Sequence, residues 1–277
     1  MIYVFLFILG LAVGSFLNVV IYREINEIKK DEEEGNWLSK IKTWFPHWVW
    51  GRSFCDHCKR RLCWYDNVPL LSYVLLGGKC RQCRKPITLQ YPLVEVLTGL
   101  EFIWLYWLLS HFAFFGQVEG FYSLALIGYW FFIFSVSVVM ALIDLRTQVI
   151  PDVILLPSIG VSLLRLFFTS QWQFLLTATL TSLFFLSLYL VTKKRGLGFG
   201  DVKLSFFLGL VLGWWQRILV AIFLAFLTGA IVGVIVVLAK RKTLKSIIPF
   251  GPFLLLAMWV AKIWGDELWQ AYWSLLH

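Results

Sequence analysis

The chain has 277 residues, of which 60% are hydrophobic and 18% aromatic, and its mean hydropathy is +0.77. A soluble domain is about half apolar, so this excess, spread over repeated long apolar runs, argues against a water-soluble helical protein with one large core. The formal net charge of +9 would suggest nucleic acid on a soluble surface. Here the basic residues lie between apolar runs, so the expected partner is the lipid bilayer and no nucleic acid is expected.

The first apolar run, 2–22, has no basic residue before it, and Arg23 follows it. A cleaved signal peptide has the opposite polarity. The run therefore reads as an uncleaved span with its N-terminus outside, although the small residues at 12–15 mimic a cleavage site. Seven more spans are expected at 94–114, 121–143, 150–168, 173–191, 202–214, 217–239 and 247–264. The sixth is shorter than the ~20 residues a bilayer core needs, so tilting or burial against its neighbours is expected. With the N-terminus outside, thirteen Lys/Arg fall between Arg23 and Lys85, four between Lys193 and Lys203, and four between Lys240 and Lys245, all on the cytoplasmic side with Arg146. Only Arg165, Arg217 and Lys262 fall elsewhere, as the positive-inside rule predicts. The domain reading is thus a first transmembrane helix at 1–22, a cytoplasmic loop at 23–93, and a helical bundle at 94–277. The fold class is an all-α polytopic membrane protein of about eight transmembrane helices.

Within the loop, 24–35 is charged and reads as a solvated helix or linker. Trp37, Leu38, Ile41, Trp44, Phe45, Trp48 and Val49 then recur at helical spacing. That pattern fits an interfacial amphipathic helix interrupted at Pro46, or aromatic packing on the segment that follows. The following segment carries Cys55-x2-Cys58 and Cys80-x2-Cys83, two knuckles whose four thiolates match a tetrahedral zinc site of the ribbon type. Structural disulfides are disfavoured in a cytoplasmic loop. A redox CxxC and a nucleic-acid-binding ribbon are weaker alternatives, and structural zinc is the preferred reading. Cys63 is left over and is expected to be a small buried residue.

Acids in or beside apolar spans are costly, about 2.5–3.5 kcal/mol for an Asp at a helix centre on insertion scales. Asp144 ends the third span, Asp152 follows Pro151 at the start of the fourth, Asp201 precedes the sixth, and Glu95 begins the second. The charge distribution puts all four near the cytoplasmic side. Asp144 and Asp201 come from separate spans yet can meet at one depth. Gly198 and Gly200 would allow close approach and unusual torsions before Asp201. Two such carboxylates suit general acid–base work on a carbonyl. Pairing of Asp144 with Arg146, capping by Asp152 and an ion-coupled transport site remain open on the residues alone.

Taken in order, several segments resemble the type IV prepilin peptidase family of GxGD intramembrane aspartyl proteases. They are GSFLNVVIYR at 14–23, the cysteine loop with VPLLSYVLLGGKCRQC, YPLVEVLTG at 91–99, DLRTQVIPD at 144–152, GFGDVKL at 198–204 and IPFGPFL at 248–254. The resemblance implies that Asp144 and Asp201 are the catalytic pair, and that Asp152, Lys203 and Glu95 support them. It implies removal of a short basic leader from prepilins and type II pseudopilins at the cytoplasmic face of the inner membrane. It further implies methylation of the new N-terminus with S-adenosylmethionine. No Gly-rich nucleotide motif of the soluble kind accompanies that last activity. The first knuckle reads CDHC where the family usually has Pro after the first Cys, a change that leaves the thiolates intact. The rivals are a proton-coupled transporter using the two aspartates, a peptidase without methyltransferase activity, and a membrane-anchored zinc scaffold. Neither the oligomeric state nor the pilin processed is readable.

Overall fold

A computed structural model describes residues 1–34, 53–55, 57–111, 121–193, 197–239 and 249–275. The aromatic segment at 37–49 lies outside the described residues. Among the described residues, eight long helices follow the order of the expected spans: α1 (Ile2–Glu34), α2 (Gln90–His111), α3 (Phe121–Thr147), α4 (Asp152–Thr169), α5 (Gln173–Val191), α6 (Phe199–Leu212), α7 (Trp215–Leu238) and α8 (Gly251–Ser274). Among the described residues there is no strand, only the isolated bridges Phe54–Arg61 and Lys79–Pro86. Among the described residues, five helices, α1, α3, α4, α5 and α7, are long and apolar enough to cross a membrane. Of the others, α6 has only 14 residues, while α2 carries Glu95 and Glu101, and α8 carries Lys262, Asp266 and Glu267.

Two helices run further than the apolar pattern alone implies. Helix α1 continues to Glu34, because residues 23–34 contain only helix-compatible side chains and the first breaker is Gly35. Helix α8 likewise continues past residue 264 to Ser274.

The chain divides into two compact units, Met1–Ser135 and Val136–His277, with the boundary inside α3. In the first unit α1 packs along α2. Gly10 and Gly14 lie one helical turn apart on α1, where a Cβ on either would come within 2.7 Å of the α2 backbone at Gly99 or Glu95. Without a hydrophobic drive between helices in lipid, such small residues let backbones approach and gain dispersion contacts. Asn18 adds a hydrogen bond across the pair, its Nδ2 donating to the Tyr91 carbonyl at 2.9 Å.

In the second unit α6 is the central element, packed on α4, α5, α7 and α8. Leu204, Phe207, Leu210 and Leu212 on it are fully buried. A helix apolar on every face has no solvent side, and this explains how a segment too short to span is accommodated. Arg217, one of the three cations outside the expected cytoplasmic segments, is buried and forms a bidentate pair with Asp266 at 2.9 and 2.6 Å.

Candidate active site and metal centre

Asp144 sits in the last turn of α3. The helix stops at Gln148, whose left-handed φ of 56° lets its N–H donate to the Asp144 carbonyl at 2.8 Å, a usual helix-ending device. The chain then runs through Val149, Ile150 and Pro151 into α4. This turn carries Asp144, Ile150 and Asp152 into the second unit's interior and edge. Asp201 lies in the first turn of α6, where helix amides favour a negative charge. The Gly198 N–H donates to its Oδ2 at 3.1 Å.

Both carboxylates are buried, Asp144 at 4% exposure and Asp201 at 8%, and the charge of Asp201 acts on Asp144. The backbone N–H of Gly251, first residue of α8, also faces the Asp144 carboxylate. Asp144 Oδ2 nevertheless has no hydrogen-bond partner, and no ion pair joins Asp144 to Arg146 among the described residues. Ile150 links the pieces: a Cβ on Gly200 would lie 3.3 Å from it, and one on Gly251 would lie 3.5 Å from it. The glycines before Asp201 therefore serve close approach. Gly198 has an ordinary φ of −79°, and the left-handed glycines among the described residues are Gly77, Gly78 and Gly213, so the expected unusual torsions are not found at 198 and 200.

Asp152 and Lys203 meet in an ion pair, with Nζ 2.8 and 2.7 Å from the two carboxylate oxygens. Asp152 thus reaches across to α6 instead of capping its own helix. The Lys203 ammonium also lies 5.3 Å from the centre of the Phe199 ring. Glu95 belongs to the first unit, where its Oε2 accepts the Leu70 N–H at 2.7 Å and Ser15 hydrogen-bonds to it. It ties α2 to the cysteine loop within that unit. Sequence reading missed Ile150 and Gly251 as parts of the aspartate site, although IPFGPFL was the available signal for Gly251.

The four cysteines form one cluster, every Sγ within 4.8 Å of the others. A tetrahedral thiolate site with metal–sulfur bonds of about 2.3 Å has S–S edges of about 3.8 Å, and Cys55 and Cys83 lie 3.9 Å apart. The two knuckles share one local design. In the first, Cys55 N–H donates to Arg60 O and Lys59 N–H to Cys55 O. In the second, Cys80 N–H donates to Lys85 O and Arg84 N–H to Cys80 O. Lys59 and Arg84 occupy the left-handed region at φ of 56° and 54°. Backbone amides of Cys83 and Gln82 lower the Cys80 pKa to about 7, whereas burial raises that of Cys55 to about 11. The donor set fits a soft divalent metal ion. Cys63 is exposed and stands outside the cluster, correcting the expectation of a buried residue, because its loop segment has no core above it.

The fold and sites define a multi-pass membrane protein with a buried carboxylate pair in one unit and, in the other, four cysteines placed to hold a metal ion. Residues 8–109 match the model of the bacterial peptidase A24 N-terminal domain, and residues 131–234 match that of the type IV leader peptidase family. The chain is 36% identical to the prepilin leader peptidase/N-methyltransferase of Pseudomonas aeruginosa, over 96% of this chain and 91% of that protein. It is 34% identical to the protein of the same name from Aeromonas hydrophila (96% and 92%) and to that from Legionella pneumophila (94% and 90%). No solved structure matches it. The chain belongs to the type IV leader peptidase family and is a membrane peptidase.

Proposed function

We propose that this peptidase is an aspartyl endopeptidase that removes the leader from type IV prepilins and type II secretion pseudopilins, and that it N-methylates the new N-terminus with S-adenosylmethionine. The observation that carries the peptidase reading is the buried approach of Asp144 and Asp201 from two different helices. One carboxylate, ionised, takes a proton from the attacking water while the other, protonated, donates to the carbonyl oxygen of the scissile bond. Like charges at short range favour one shared proton over two ionised groups. Gly198 orients Asp201, and the Asp152–Lys203 pair ties the start of α4 to α6 just past its first turn, holding the two acids in register.

The distribution of Lys and Arg supports an inner-membrane protein with its N-terminus outside and its cysteine loop and aspartates on the cytoplasmic side. Cys55, Cys58, Cys80 and Cys83 would hold structural zinc, the metal that four thiolates commonly bind, and no catalytic step passes through it. The methyltransferase reading is supported by the names of the relatives.

The test is cleavage of a prepilin with an intact leader by the purified chain. Asp144→Asn and Asp201→Asn should each abolish clipping while the variants elute as folded protein. Retained cleavage in either variant would overturn the pair.

A further inference from the structure

The cysteine loop exposes apolar side chains where a water-soluble domain would cover them. Its five-residue helix, Leu71–Leu75, turns Leu71, Val74 and Leu75 outward at 56%, 65% and 76% exposure. These positions are spaced i, i+3 and i+4 and so share one face. The other side is tied inward, where the Tyr73 hydroxyl donates to the Ile87 carbonyl at 3.5 Å. We propose that this helix is a monotopic membrane contact, with its exposed face seated in the acyl boundary of the adjoining leaflet and the basic knuckle beside it lying on anionic phospholipid headgroups. The proposal rests on the membrane placement of α1, not on the peptidase or methyltransferase reading.

Depth identifies the occupant. The apolar run of α1 ends at Tyr22, and Arg23 is the first charge after it. Gly14 lies nine residues before Arg23 and packs on Glu95, whose Cα would be 2.7 Å from a Cβ on that glycine. Nine residues rise about 13 Å along a helix. The headgroup layer on each side of a bilayer core is thinner, ~5–8 Å. Glu95 therefore lies level with lipid, and its Oε2 accepts the Leu70 N–H at 2.7 Å. That bond pins the residue before the short helix at the acyl boundary, so lipid and not water meets Leu71, Val74 and Leu75. On α2 itself Leu93, Leu97 and Leu100 are exposed along one stripe, and Leu89 extends it to the end of the loop. Apolar surface is thus continuous from the span to the loop.

Charge complements this face. The second knuckle follows the short helix directly, and Lys79, Arg84 and Lys85 are exposed on it. The Ile87 N–H donates to the Gly78 carbonyl at 2.8 Å and closes the knuckle onto the chain that leads into α2. Among the described residues of the loop the acid is Asp66, and Arg81 pairs with it at 2.9 Å. Apolar side chains bordered by cations are what an anionic lipid surface retains. A second copy docked symmetrically on this face would set like charges against each other.

The test is nitroxide accessibility in the full chain, purified with its metal and reconstituted into vesicles of phosphatidylcholine and phosphatidylglycerol. Cys63→Ser removes the cysteine outside the cluster, and Leu71→Cys, Val74→Cys or Leu75→Cys then carries the label. Metal content reports an intact loop, and three positions keep the measurement valid if one variant loses metal. Oxygen, which concentrates among acyl chains, should collide with the label several-fold more often than a water-soluble nickel chelate. The reverse preference would place the face in water and overturn the contact. Protection from both reagents would mean a protein occupant, a second copy or another chain, and would overturn it equally. Lys79→Gln combined with Lys85→Gln should lower the oxygen preference in these vesicles but not in phosphatidylcholine alone. An unchanged preference in both would overturn the headgroup contact.

Discussion

At Gly251 a single methyl group separates an open carboxylate from an obstructed one, since a Cβ there would lie 2.6 Å from Asp144 Oδ2 and 3.2 Å from Cγ. Neither the α8 backbone nor the buried acid can yield cheaply. Gly251→Ala should therefore lower the cleavage rate at least ten-fold and cost on the order of 1–3 kcal/mol of stability, as overpacked sites do. Rate and thermal midpoint measured on one preparation check both parts. Lys203 makes the opposite kind of contact. Its pair with Asp152 is partly solvated, with the two side chains 33% and 51% exposed, so its direct worth is about 0–1 kcal/mol. Lys203→Met should leave the melting point nearly unchanged while slowing cleavage several-fold, if the pair positions Asp201 as proposed. Equal losses in stability and rate would assign Lys203 a structural role only. Of these residues, Asp144, Asp152, Asp201 and Lys203 were visible as charges beside apolar spans. Ile150 and Gly251 were not: IPFGPFL pointed to Gly251 only through the family resemblance, and an apolar side chain such as Ile150 carries no local signal of the carboxylates it lies beside.

The cysteine knuckles act as a single element. Their repeated backbone hydrogen bonds place four sulfurs together without a sheet or a large core. Metal binding to thiols releases protons, so affinity must fall as pH falls. Cys80, with a pKa of about 7, supplies the most readily formed thiolate of the two perturbed cysteines, and Cys55, at about 11, depends on the metal to lose its proton. Metal content by atomic absorption should be retained at mildly alkaline pH and lost at acidic pH in the presence of a chelator. Cys80→Ser should abolish metal retention at both values. The spacing of the four cysteines was enough to foresee this element. What spacing did not foresee was the exposure of Cys63, since the loop's lack of a core is a property of its packing.

For the whole molecule, orientation is the property that charge distribution predicts most directly. With the cysteine loop on the cytoplasmic side, a membrane-impermeant thiol reagent should leave exposed Cys63 unlabelled in intact cells and label it after permeabilisation. Labelling in intact cells would invert the topology and remove the aspartates from the proposed face.

Sequence alone determined the membrane class, the order of the long helices, the clustering of the four cysteines and the family, and it picked out the acids because charges in apolar surroundings are conspicuous. Helix ends were less legible: α1 runs on to Glu34 because helix propensity continues where hydrophobicity stops. Only the tertiary structure decided that the short α6 is the buried centre of the second unit, and that Ile150 and Gly251 converge on Asp144. The physical reason is the solvent. In water, an apolar stripe reveals which face of a helix is buried. In lipid, α6 is apolar over most of its length, and its partners are chosen by dispersion contacts and small residues that no periodicity announces.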